Sequence, residues 1–137
     1  MTSTREKGNK YERMVRTILD LWGYMTERAY GQYVYTGHGV RSIRHDFFGC
    51  VDIIAKNDLH TRYVQVTDVT HLAAHRDKML LQIWPRNDIV EIWAWRGGKA
   101  QQFHIHRLDH DLRIFTEDSI VKKSASLIPR RPQNSAD

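Results

Sequence analysis

Residues 89–95 are apolar on both alternating faces, with Ile89, Trp93 and Trp95 on one and Val90, Ile92 and Ala94 on the other. Side chains of a strand point alternately to opposite faces, so this strand is expected inside a sheet covered on both sides. Two helical segments are available as cover. In residues 4–22, Tyr11, Met14, Val15, Ile18, Leu19 and Trp22 recur at helical spacing and form one apolar stripe. Ser3 or Thr4 caps its start, Gly23 stops it, and Lys7, Lys10, Glu12, Arg13 and Arg16 occupy the other face. A second helix is predicted over 70–83, ended by Pro85. Leu72, Ala73, Leu80 and Ile83 form its apolar side, and His71, His75, Lys78 and Gln82 form a polar stripe.

The remaining pattern supplies more strands. Residues 24–29 make a short one. Residues 50–56 and 62–67 form an antiparallel hairpin about Asn57–Asp58, and 101–107 follows 89–95 through Gly97–Gly98. Residues 30–45 read as a long glycine-containing loop or an irregular hairpin, with Arg41, Arg44, His38, His45 and several tyrosines but no acid before Asp46. The expectation is a mixed α/β (α+β) domain over 1–121, order α-β-β-β-α-β-β, with a mostly antiparallel sheet flanked by helices. Residues 122–137, including Arg130 and Arg131, read as a mobile basic tail.

Composition narrows the function. A chain of 137 residues fits one domain, and its single cysteine excludes an internal disulfide or a multi-cysteine zinc site. No apolar run approaches the ~18 residues of a membrane span, and the polar start lacks the core of a signal peptide. The reading is an intracellular, soluble protein without a membrane partner. The net charge of +5 points to an anionic partner.

An aspartate inside an apolar strand has to be explained, because an unpartnered buried carboxylate is costly. Asp52 lies among Val51, Ile53 and Ile54, and Gln65 among Val64 and Val66. Pairing about Asn57–Asp58 sets Asp52 nearly opposite Gln65, with Thr67 on the same face as Gln65. Asp46 can enter this spot through Phe47–Phe48–Gly49, and Glu12 can approach from the first helix. Oxygen ligands at a sheet end suit Mg²⁺ or Mn²⁺, which can activate water at a phosphodiester. The alternative is that Asp52 bonds loop amides and only shapes the fold.

The runs KGNKYERMVRTILDLWGY, CVDIIAK and YVQVT resemble the PD-(D/E)XK nuclease superfamily, most closely the archaeal Holliday junction resolvases and their phage relatives. The likeness covers about residues 7–80. It implies a restriction-endonuclease-like fold, a Mg²⁺-dependent endodeoxyribonuclease acting on DNA, with branched DNA as a candidate substrate, and a symmetric homodimer in a bacterial, archaeal or phage-infected cytoplasm. Trp93 and Trp95 are candidates for the dimer contact or for the core. Glu12 matches the family's helix glutamate and Asp52 its strand aspartate. Gln65 and Thr67 stand where the family has glutamate and lysine.

These departures call for replacements. Asp46 would complete a metal set with Asp52 and Gln65, and Lys78 would supply the missing ammonium, with His71 and His75 as alternatives. A module that kept the nuclease fold but only binds nucleic acid is the second reading. Lys7, Lys10, Arg41, Arg44, Arg130 and Arg131 are the expected DNA contacts. Glu12 has a simpler use, a surface ion pair with Arg16 four residues on. Lys78 has one too, as a plain surface lysine. His71 with His75, and His104 with His106, offer a zinc alternative, but HLAAH lacks the glutamate of HExxH.

Overall fold

The computed structural model describes residues 4–123, with side chains described except at 4–9, 30–36 and 40–45. Helix α1 (Thr4–Leu21) leads into strands β1 (Met25–Arg28), β2 (Tyr30–Thr36), β3 (Gly39–His45), β4 (Ile53–Lys56) and β5 (Thr61–Asp68). Helix α2 (Leu72–Leu80) then crosses to β6 (Ile89–Arg96), β7 (Gln102–Asp109) and β8 (Ile114–Lys122). Six strands form one mixed sheet in the order β1-β4-β5-β6-β7-β8, and β2 and β3 pair separately. Only β5 and β6 run parallel in the large sheet, joined by α2, while the other neighbours are antiparallel. Among the described residues no helix is long and apolar enough to cross a membrane.

The doubly apolar strand is central, as its pattern requires. Trp93 and Trp95 face α1, whose Val15, Ile18, Leu19 and Trp22 pack with them in one core cluster. Tyr11 stacks on Trp95 at 5.3 Å between ring centres, and Trp22 tilts against Trp93 at 5.5 Å. Both tryptophans therefore belong to the core, and their side chains are not the material of a dimer contact. Val90 and Ile92 face the other way, into a second cluster with Met79 of α2, Trp84, Cys50 and Val51. Gly23, at φ +92°, ends α1 as expected, because a left-handed turn costs glycine nothing.

Four expectations are corrected. Residues 30–45 are the hairpin of the two alternatives, but a regular one, since β2 and β3 pair in continuous register from Tyr30↔His45 to Thr36↔Gly39. The strand expected over 50–56 starts only at Ile53, because the chain doubles back just before it. Val51 N–H bonds Phe47 O at 2.9 Å and Gly49 N–H bonds Asp46 O at 3.1 Å, with Phe48 at φ +54° and Gly49 at +73°. Helix α2 is shorter than 70–83. Ile83 is 94% exposed, and Trp84 is buried in its place, its indole N–H on Met79 O at 2.9 Å. Strand β8 was not anticipated. It is an edge strand with Phe115 and Val121 buried and residues 116–120 exposed, so it lacks the alternation that marks a half-buried strand.

Residues 124–137, which carry Arg130 and Arg131 of the expected tail, lie outside the described residues. Lys122, expected to open that tail, instead ends β8 opposite Gln102.

Candidate functional site

Asp52 precedes β4 by one residue and is 4% exposed. Its backbone continues the ladder: its N–H bonds Val64 O at 2.9 Å, and its carbonyl accepts Ala29 N–H at 2.8 Å. Amides two residues apart on a strand point the same way, so Val66 N–H faces the side where β4 has just run out. Asp52 Oδ2 accepts that N–H at 2.9 Å. The carboxylate thus stands in for a missing strand partner. The structural use allowed by the sequence, bonding of a backbone amide, is real.

Gln65 and Thr67 alternate with Val64 and Val66, which pack into the α1-side cluster, so both point to the α2 side beside Tyr63. Both are buried, and Gln65 bonds Val66 O at 3.2 Å through its amide nitrogen. Asp46 is half-buried at the mouth of the Phe47–Cys50 turn. Burial pushes the Cys50 thiol up, Lys78 pulls it down, and Asp46 and Asp52 push it further up. Burial lowers the His75 pKa, helped by Lys78 and His71 and opposed by Asp46 and Asp68. The charges of Asp46, Asp52 and Lys78 therefore all reach Cys50, and those of Asp46 and Lys78 also reach His75. Lys78 itself is exposed on α2.

Glu12 comes from the opposite side. It is 3% exposed on α1, and Arg28 Nε lies 3.5 Å from its Oε1. The surface pair with Arg16 does not form, because Arg16 turns to Thr26 Oγ1 at 3.3 Å. Arg28 pairs with Ile53 across β1 and β4, so Glu12 meets the sheet at the corner where Asp52 lies. Glu12 lies on the α1 side of the sheet, Asp52 at the end of β4, and Gln65 and Thr67 on the face covered by α2, the helix that carries His75 and Lys78.

The donor set suits a hard cation in kind. Asp46 and Asp52 supply carboxylates and Gln65 an amide oxygen, and Mg²⁺ commonly takes one or two carboxylates and completes its shell with water. Among the described residues no three His, Cys, Asp or Glu side chains form a metal-binding group. Among the described residues the histidines do not assemble a zinc site. His71 Nδ1 bonds Asp68 at 2.8 Å, and His104 Nδ1 bonds Glu117 at 2.5 Å near the β8 edge of the sheet. Lys10 is exposed on α1. The side chains of Lys7, Arg41 and Arg44 lie outside the described set.

A second polar centre was missed. Glu91, in the middle of β6, is fully buried. Arg62 Nη1 donates to its Oε1 at 2.6 Å and Trp93 Nε1 to the same oxygen at 3.0 Å. Arg107 donates to its Oε2 through Nε at 3.1 Å and Nη2 at 2.9 Å. Arg62 also donates to the Tyr24 hydroxyl at 2.9 Å, which bonds His60 at 2.7 Å. The β7–β8 register shift at Ile105/His106 passes over Asp118, which lies 3.5 Å from Arg107. Burial alone would raise the Glu91 carboxyl, but Arg62 and Arg107 outweigh it and hold it below its ordinary value. The signal was visible, since Glu91 interrupts an apolar strand just as Asp52 does. Its partners at 62 and 107 were not, because only strand order brings them together.

No family model, curated protein or solved structure matches the chain.

Proposed function

We propose that this chain is a metal-dependent DNA endonuclease of the PD-(D/E)XK type, similar to Holliday junction resolvases and working as a homodimer on branched DNA. The observation that carries the reading is the position of Asp52. It is a buried carboxylate just before a strand, with Gln65 on the neighbouring strand, and its charge reaches the Cys50 thiol together with those of Asp46 and Lys78. The order of elements supports it. A helix bearing Glu12 precedes the strand led by Asp52, the next strand bears Gln65 and Thr67, and a helix then crosses to a parallel strand. The helix with Glu12, the strand led by Asp52 and the strand with Gln65 and Thr67 come in the sequence the resemblance implies.

Asp46 and Asp52, with the amide oxygen of Gln65, would hold Mg²⁺ or Mn²⁺. When bound, the ion supplies an activated water and neutralises charge on the phosphodiester. Lys78 would bring positive charge to the phosphate that Thr67 lacks. His75, whose pKa is lowered chiefly by burial, would accept a proton from the attacking water. Glu12 would set the corner through Arg28.

One observation favours a second reading, a nucleic-acid-binding module without cleavage. Asp52 already serves the Val66 amide, and Gln65 and Thr67 replace the family's charged pair. The deciding experiment incubates purified protein with branched and linear DNA, with EDTA, Mg²⁺ or Mn²⁺. Cleavage only with metal supports the enzyme. Binding without cleavage supports the module, and neither result would leave both readings without support.

A further inference from the structure

Phe48 lies between Asp46 and Asp52 in a conformation that a bulky residue adopts only at steric cost, φ +54°, yet its ring is 61% exposed. The exposed ring gains little from the fold. It stands edge-on to Tyr63 and Trp84, each 6.2 Å away between ring centres, and Tyr63 and Trp84 are 5.3 Å apart. With Gln82, Ile83 and Pro85 these rings line an open cleft of about 240 Å³. Tyr63 is two residues from Gln65 on the same face of β5, a rise of about 7 Å, comparable to one or two nucleotide steps of a DNA strand. The cleft therefore adjoins the proposed phosphodiester site.

We propose that this cleft receives one unpaired DNA base, stacked on Phe48, beside the phosphate that a cation at Asp46 and Asp52 would hold. Its chemistry fits that occupant. Aromatic rings supply sequence-tolerant stacking, Gln82 offers both a donor and an acceptor to a base edge, and exposed Lys78, four residues before Gln82, supplies charge complementary to the strand. A duplex keeps its bases stacked inside, so the preferred substrate would be single-stranded or branched DNA with a base free to turn out. The inference rests on the phosphodiester-site reading and gives it a substrate preference.

The test uses the full chain with Ca²⁺ in place of Mg²⁺ or Mn²⁺, a hard cation for the same oxygen ligands, so that binding is read apart from cleavage. Single-stranded oligonucleotides carry 2-aminopurine at successive positions, and quenching of its fluorescence reports stacking. One position should quench on binding. Phe48→Ala should abolish that quenching and weaken binding about 10-fold, whereas Phe48→Trp should preserve both. An abasic residue at the quenched position should weaken the unaltered protein by the same factor and the Phe48→Ala protein no further. If DNA binds but neither change alters affinity or quenching, the base cleft is refuted and the phosphodiester site stands. If DNA does not bind at all, both fall. Self-association lost in Phe48→Ala, with DNA binding unchanged, would refute the proposal by assigning the cleft to a second copy.

Discussion

Removing the Glu91 carboxylate is the sharpest probe of how the sheet is held together. Arg62 is 2% exposed, and its nearest countercharge is Glu91 Oε1 at 2.6 Å. Glu91→Leu strands that guanidinium in the core, with only the Tyr24 hydroxyl still bonded to it. Arg107 suffers less, because its side chain is 38% exposed and Asp118 lies 3.5 Å away. The loss should therefore come mainly from Arg62, at about 3–5 kcal/mol for breaking one partner of a buried pair. Replacing both partners by apolar residues, Arg62→Met with Glu91→Leu, removes the stranded charge. That double variant should be clearly more stable than Glu91→Leu alone. Urea unfolding followed by tryptophan fluorescence measures both, provided the m-values agree. A loss under about 1 kcal/mol for Glu91→Leu, or a double variant less stable than the single one, would refute the reasoning, since an uncompensated buried arginine should cost more.

Other predictions concern pH and the turn beside the candidate site. The Glu91 carboxyl is held below its ordinary value of 4.5, so its stabilisation is full above that pH and is lost as pH falls through the lower folded value. The His75, His60 and His106 pKa values are lowered from 6.5 by burial, so the unfolded chain binds their protons more readily. Stability should therefore begin to fall as pH drops below about 6.5. Thermal unfolding from pH 8 to pH 3 should show two declining regions, the acidic one smaller in the Arg62→Met, Glu91→Leu variant, where Asp68, Asp111 and Glu117 still contribute. Gly49→Ala should cost about 1 kcal/mol in urea unfolding through backbone strain, because φ is +73° and the added carbon meets nothing within 4 Å. No loss would mean that this turn is not held in the left-handed conformation.

The parts of the fold legible in the sequence were those in which burial follows a simple period. The stripe of α1, the β4–β5 pairing and the two-sided burial of β6 all follow from spacing, because each element buries a whole face. Strand β8 escaped because it lies at the sheet edge and buries only Phe115 and Val121. The end of α2 was misplaced because Leu80 and Ile83 fit a helical stripe, while burial went to Met79 and Trp84. In the candidate site, the pairing of Asp52 with the Gln65 strand was legible from the hairpin. The capping of Val66 N–H was not, since it depends on where β4 stops. Glu12 finds Arg28 rather than Arg16 because its helix presses that face onto the β1–β4 corner.

The most direct test of the central claim compares the unaltered chain with Asp52→Asn on branched DNA in Mg²⁺ or Mn²⁺. Asparagine keeps a side-chain oxygen for Val66 N–H, so the fold and DNA binding should persist, while the charge needed to hold a cation is gone. The account predicts metal-dependent cleavage by the unaltered chain and its loss in Asp52→Asn with DNA affinity retained. Undiminished cleavage by Asp52→Asn, or no cleavage by the unaltered chain with either metal, would contradict it.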